Sequence, residues 1–267
     1  MVDLGDAIVL GAVQGLTEFL PISSDGHLAI GAALLEVHEP SLAMVVLLHL
    51  GTLVATLWVL RDEVVDLLVG LGRAFRTEAR PLATPAGKEA IAIVVASVPT
   101  AIIGLLLHDF VEPWARDLRI VAVCLLVSAF FVGSTYANRS GEGAVLDWRR
   151  AALVGVIQGL AVLPGWSRSG STIAMAMMLG LSGPAAFRFS FLLSLPAVGG
   201  ACLLELTKDG ALAGMGIEPF VGALVALGSG YLALRLLRGV VGQGRFHVFA
   251  YYLVPLAAAL LFLAARR

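Results

Sequence analysis

The sequence predicts an all-α integral membrane protein built as an inverted-topology repeat, with six transmembrane helices and two re-entrant helix pairs. Three observations predict it. Of the 267 residues 59% are hydrophobic and 14% charged, with a mean hydropathy of +0.93, whereas soluble chains average about 45–50% apolar and about 25% charged. The apolar residues fall in long blocks, many reaching the roughly 18 that a bilayer-crossing helix needs. Two blocks are interrupted by proline, glycine and serine, and those two resemble each other. This composition excludes a cytosolic enzyme, a nucleic-acid reader and a disordered chain. The net charge of −1 offers polyanions no basic field.

Asp3 and Asp6 stand where a cleavable leader would be basic, so none is expected. The first interrupted segment, 4–36, contains Pro21-Ile22-Ser23-Ser24-Asp25-Gly26-His27. Uninterrupted spans follow at about 42–60, 89–107 and 119–137. The second interrupted segment, 151–180, contains Pro164-Gly165-Trp166-Ser167-Arg168-Ser169-Gly170, and spans at about 185–205, 217–237 and 247–265 complete the chain. Neither half of an interrupted segment is long enough to cross, so each reads as a re-entrant pair. Irregular backbone at that depth is tolerated only against protein or a wet cavity. The longest polar stretch, Arg61 to about Glu89, reads as a loop, which leaves a single membrane domain over 1–267. Cys124 and Cys202 lie inside apolar blocks without metal spacing and read as core or lipid-facing residues.

Gly11-Ala12-Val13-Gln14-Gly15-Leu16 aligns with Gly155-Val156-Ile157-Gln158-Gly159-Leu160, and each is followed by Leu-Pro and a serine cluster. The offset is 144 residues, becoming 143 after a one-residue gap. The pseudo-repeats are therefore about 1–140 and 141–267. A re-entrant pair returns to its own side and three spans do not, so the second half must be inverted. Such repeats place a ligand site where their broken helices meet. Loops 61–88, 138–150 and 238–246 carry ten Lys and Arg against five in the opposite set. The excess puts the first set in the cytoplasm and both termini outside.

Ionisable residues at membrane depth are costly and point to function. Those of the broken segments are Glu18, Asp25, His27 and Arg168. Pro21 ends one half-helix and Ser23 or Ser24 caps the next; Pro164 does the same, with Ser167 or Ser169 as cap. Each restarted helix aims free N–H groups and the positive end of its dipole at the break, an anion site. Two facing ends with a guanidinium between them suit a phosphate or diphosphate, and Arg168 can grip two oxygens at once. Glu18 beside a dianion implies a bound Mg²⁺ or Ca²⁺, or else a proton-transfer role. His27, three residues after Ser24, can meet it as base to nucleophile or take the phosphoryl group itself. A salt bridge holding the hairpins together is the bland alternative for Glu18, His27 and Arg168. His49 and His108 read as interface or cavity histidines, and Arg188 and Glu205 as span-end residues that snorkel.

The run Gln14-Gly15-Leu16-Thr17-Glu18-Phe19-Leu20-Pro21-Ile22-Ser23-Ser24-Asp25-Gly26-His27 resembles the first motif of the undecaprenyl-diphosphate phosphatase family, the bacitracin-resistance proteins. Pro164-Gly165-Trp166-Ser167-Arg168-Ser169-Gly170-Ser171-Thr172 is similar to its second, and Phe189 to Pro196 to a further family stretch. The resemblance implies a bacterial inner-membrane phosphatase that converts undecaprenyl diphosphate to the monophosphate and recycles the cell-wall lipid carrier, with its site toward the periplasm. It implies Glu18, Ser24, His27 and Arg168 as the catalytic set. Ser23, Gly165, Ser167, Ser169 and Thr172 would bind substrate, and Glu18 with Gln14 would hold a divalent cation, Mg²⁺ or Ca²⁺. Asp25 stands where many members carry Thr, and His49 where Gln is common. The expected partners are a polyprenyl diphosphate lipid and the bilayer, with no nucleic acid; a homodimer is compatible. The nucleophile is Ser24, His27 or water. The rival reading is a polyprenyl-phosphate flippase or transporter without hydrolysis, because inverted repeats are typical of transporters.

Overall fold

Two helices begin the chain and stop short of each other at a proline. In the computed structural model, which describes residues 2–35, 42–137, 141–207 and 215–266, α1 runs Leu4–Phe19 and α2 runs Ser24–Leu34. Arg139, Lys208 and Arg267 of the charge count lie outside the described residues. A reciprocal capping box between Asp3 and Asp6 starts α1, and the chain turns extended at Leu20, before Pro21. The second interrupted segment repeats this as α7 (Trp148–Leu160), capped by Asp147, and α8 (Arg168–Met178), capped by Ser167. Of the two caps expected for α8, Ser167 is used: its hydroxyl accepts from Gly170 N at 3.2 Å.

Every block expected to span is helical. These helices are α3 (Leu42–Val59), α5 (Pro85–Ala115), α6 (Leu118–Ser134), α9 (Gly183–Leu206), α10 (Glu218–Gly242) and α11 (Ala250–Arg266). Four helices are long and apolar enough to cross a bilayer outright: Pro85–Val111 of α5, α9, α10, and α11 with the 3₁₀ turn before it. α6 is a shorter apolar helix, and α3 passes only together with the helix that follows it. Among the described residues there is no strand, only an isolated bridge between Gly143 and Leu181.

The stretch from Arg61 is not the loop that its charge suggested. It forms α4 (Arg61–Thr77), bent 68° from α3. Ala74 is buried on one face, while Val65, Leu68, Val69 and Phe75 form an exposed apolar stripe at helical spacing. Charges at Asp66 and Arg73 between these positions, with Asp62 and Glu63 before them, lower the mean hydropathy enough to hide the stripe.

Glycines set the main helix contacts. Gly11 and Gly15 of α1 lie on α10, where an added methyl would strike the Gly222 and Ala226 carbonyls. Gly155 and Gly159 of α7 lie on α5, against the Ala96 carbonyl and the Ile103 side chain. This is the small-residue spacing that lets membrane helices touch backbone to backbone. α6 packs on α11 and α3 on α9. Because that backbone cannot yield, Gly155→Leu is expected to destabilise the protein by about 3 kcal/mol or more. Thermal unfolding in detergent checks this: an unchanged midpoint would show that the contact is not made.

Arg188 does not snorkel. Its Nη2 donates to Glu89 Oε2 at 2.7 Å, tying α9 to α5 with the Glu89 side chain 10% exposed. Cys124 and Cys202 are buried and unpaired with each other.

Candidate active site

The two chain breaks meet. Glu18, in the last turn of α1, reaches Arg168, the first residue of α8, with Arg168 Nη2 donating to Glu18 Oε1 at 2.5 Å. Their side chains are 17% exposed for Arg168 and 8% for Glu18, so the pair is shielded but not sealed. Glu18 Oε2 accepts from Ser24 Oγ at 2.7 Å and from Gln14 Nε2 at 3.2 Å. His49 of α3 stands beside it, Nε2 to Oε2 3.9 Å. Asp25 is exposed and near enough to interact electrostatically with His49, Glu18 and Arg168. Thr52, Thr56 and Ser194 join Glu18 and Arg168 in lining a narrow crevice between α1, α3, α8 and α9.

Two buried polar atoms here have no hydrogen-bond partner among the described residues, Arg168 Nη1 and Gln14 Oε1. Such atoms are expensive unless something arrives to meet them. A guanidinium nitrogen left free beside a helix N-terminus is a donor awaiting an anion. A free amide oxygen beside a carboxylate is an acceptor suited to a hard cation.

Of the four residues expected to act together, the structure gathers Glu18, Ser24 and Arg168 and turns His27 aside. Ser24 spends its hydroxyl on Glu18, not on His27. His27 Nδ1 lies 2.8 Å from the Ser23 carbonyl, and its Nε2 lies 2.7 Å from the hydroxyl of Tyr252 in α11. The cause is local: His27 bonds the carbonyl four residues back on its own helix, as His49 does to Val45 O at 2.9 Å in α3, which draws the ring away from Ser24. The shared-helix argument for a Ser24–His27 pair did not foresee that bond.

The residues expected to bind substrate through side chains are mostly occupied. Ser23, Ser167, Ser169 and Thr172 are 4%, 2%, 1% and 0% exposed. Ser167 caps α8; Ser169 Oγ faces Leu20 O at 3.5 Å and Thr172 Oγ1 faces Arg168 O at 2.7 Å and Ser190 Oγ at 2.6 Å. These contacts hold α8 against α1 and α9 and so aim Arg168. Gly165 has φ +91°, and a methyl there would also strike the Val121 carbonyl, so the turn needs glycine. Ser128 supports it, its hydroxyl accepting from Ser167 N at 2.8 Å and lying 3.0 Å from Cys124 O and 3.3 Å from Gly165 O.

Sequence reasoning missed Tyr252 and Ser128 and set His49 aside. Tyr252 lies 225 residues from His27 along the chain. It has an apolar neighbourhood in sequence, and no spacing could have linked the two.

The chain matches the family described as bacitracin resistance protein BacA over residues 7–259. It is 41% identical over 268 residues to an undecaprenyl-diphosphatase of Desulfosudis oleivorans, covering 97% of this chain and 98% of that one. It is 39% identical over 277 residues to one of Rubrobacter xylanophilus, covering 98% and 100%. It is 38% identical over 261 residues to one of Korarchaeum cryptofilum, covering 97% and 98%.

Proposed function

The chain belongs to the bacitracin resistance protein BacA family, and from that premise we propose that it is a multi-pass membrane phosphatase hydrolysing undecaprenyl diphosphate to undecaprenyl phosphate and inorganic phosphate. The observation that carries the site assignment is the meeting of Glu18, Ser24 and Arg168 at the two helix breaks, with Arg168 Nη1 left free.

The diphosphate enters the crevice and takes Arg168 Nη1, with the first N–H groups of α8 facing its charge. Ser24, already hydrogen-bonded to Glu18, passes its proton to that carboxylate and attacks the terminal phosphorus. Undecaprenyl phosphate leaves. Water then cleaves the phosphoserine, its proton going to His27, while Glu18 returns its proton to Ser24 Oγ. Positioning and charge neutralisation supply most of the acceleration, as is usual in phosphoryl transfer.

A divalent cation fits the donor set only with the substrate's help. Among the described residues no cluster of three His, Cys, Asp or Glu could hold a metal alone. The Glu18 carboxylate and the partnerless Gln14 Oε1 are hard oxygen donors, and Mg²⁺ or Ca²⁺ is commonly completed by phosphate oxygens and water. When bound, it would neutralise charge developing on the diphosphate.

In this reading six crossings and two re-entrant pairs form a single domain of two inverted halves in the bacterial inner membrane. Contacts support the inversion. Gly11 and Gly15 pack on the next-to-last helix of the second half, and Gly155 and Gly159 on the next-to-last helix of the first. The lysine and arginine excess of the 61–88, 138–150 and 238–246 loops supports termini outside, and the family resemblance supports a site toward the periplasm. α4, with its exposed apolar stripe, suits the cytoplasmic membrane surface.

The test is phosphate release by purified protein from undecaprenyl diphosphate. Release is expected in the presence of Mg²⁺ or Ca²⁺, falling to background with a chelator and returning when the ion is restored. Movement of labelled lipid across liposomes without phosphate release would overturn the assignment. Release undiminished by the chelator would remove the cation.

A further inference from the structure

His27 is held from both sides, and the two holders define its chemistry. A backbone carbonyl only accepts, so the nitrogen 2.8 Å from Ser23 O carries the hydrogen: Nδ1 donates. In the neutral ring Nε2 is then the lone-pair nitrogen, and the hydroxyl 2.7 Å away on Tyr252 donates to it. The two rings also lie nearly parallel, 27° apart with centroids 5.8 Å apart. Stacking fixes the plane, and the two hydrogen bonds fix the rotation within it. The Ser23 bond is the contact a histidine makes with the carbonyl four residues back on its own helix, as His49 does to Val45 O at 2.9 Å.

We propose that Tyr252 is a positioning residue for the hydrolysis, which with the Ser23 carbonyl keeps His27 as the Nδ1–H tautomer and its Nε2 as the proton-accepting nitrogen. This rests on the role of His27 as the base for the hydrolytic water. Of the two holders the carbonyl is the permanent one, because it is backbone at the start of α2 and also accepts from His27 N at 3.3 Å. Tyr252 is 47% exposed and is the one that can yield. Water brought in with the phosphoenzyme takes over Nε2, donating to it as Tyr252 did, so that a donor there and the carbonyl at Nδ1 together keep the tautomer. Its proton moves to Nε2, the resulting imidazolium stays bonded to Ser23 O through Nδ1, and hydroxide closes on phosphorus as the bond to Ser24 Oγ breaks. The arrangement also ties α2 of the first half to α11 of the second, so the serine-bearing half-helix is set by both halves of the chain.

The test compares Tyr252→Phe with wild type in two measurements. Phenylalanine keeps the stacking ring and removes only the donor. In phosphate-release kinetics kcat is expected to fall about tenfold while KM stays within about twofold, because a positioned acid–base group contributes about 10²–10⁴ and positioning is part of that. In ¹⁵N spectra of histidine-labelled protein, assigned with His27→Gln, wild type is expected to show Nδ1–H at His27. Tyr252→Phe should show a mixture of tautomers, which a merely structural tyrosine would not produce. Tyr251→Phe, on the neighbouring exposed ring, serves as the unchanged control. Wild-type kcat with an unaltered His27 tautomer in Tyr252→Phe overturns the proposal, and so does an Nε2–H tautomer in the wild type, which needs no variant at all. Full activity in His27→Ala would instead remove the base role of His27, a separate failure from that of Tyr252.

Discussion

Arg168→Ala is expected to lower phosphate release by about 10³-fold or more, the range found when a principal charge-stabilising donor is removed from a phosphoryl-transfer site. Two losses combine. The free Nη1 is the strongest donor available to the diphosphate in the crevice, and Nη2 is the partner that balances the 8%-exposed carboxylate of Glu18. Breaking a shielded pair from one side costs roughly 3–5 kcal/mol, so the alanine protein should also unfold at a lower temperature. Arg168→Lys separates the two effects. It keeps the charge beside Glu18 but loses the planar fork that serves the carboxylate and a phosphate together. Its melting temperature should stay close to wild type while its rate falls to an intermediate value. Wild-type release from the alanine variant would show that the diphosphate does not bind at Arg168.

The second large effect is expected at Glu18. Glu18→Gln keeps the size of the side chain but removes the charge, and with it the acceptor for the Ser24 proton. Release should fall by about 10²–10³-fold, within the range for a lost general base. The structural cost differs from that of Arg168→Ala, because a Gln carbonyl can still accept from Arg168 or Ser24, though not as a carboxylate does for both. If Ser24 is the nucleophile and Glu18 its base, no phosphoserine forms in Glu18→Gln. It accumulates instead when the later water attack is slowed, as in His27→Ala. Labelling with ³²P in the β-position, followed by a quench, distinguishes the two variants. A phosphohistidine in wild type would contradict a sequence of steps that runs through Ser24.

Much of this was legible in the sequence, for physical reasons that can be named. Pro21 and Pro164 are each followed by a cluster of serine and glycine that favours a turn, so the breaks announced themselves, and both fall between observed helices. Pro99, Pro196 and Pro255, by contrast, sit inside helices. Glu18 and Arg168 stood out because charge is expensive at membrane depth, and they turn out to be each other's partner. The glycines of α1 and α7 were legible only as matching positions of the repeat; that they are the close contacts with α10 and α5 appears in the structure. What stayed hidden depends on local hydrogen bonding or on distance along the chain. The Ser23 carbonyl, four residues before it, draws His27 away from Ser24. Tyr252 comes from the last helix, and the partner of Arg188 is Glu89, separated from it by 99 residues. α4 was obscured differently: its apolar stripe is spaced for a helix, but the charges interleaved with it made the segment look like solvent-exposed loop.

The most direct measurement is an experimental structure with a non-hydrolysable methylene diphosphonate carrying a long prenyl chain. The terminal phosphonate is expected within hydrogen-bonding distance of Arg168 Nη1 and facing Ser24 Oγ, at the junction of α1 with α8. A headgroup bound elsewhere, with the Glu18–Arg168 pair intact and Arg168 Nη1 still without a partner, would contradict a phosphatase site at the two helix breaks.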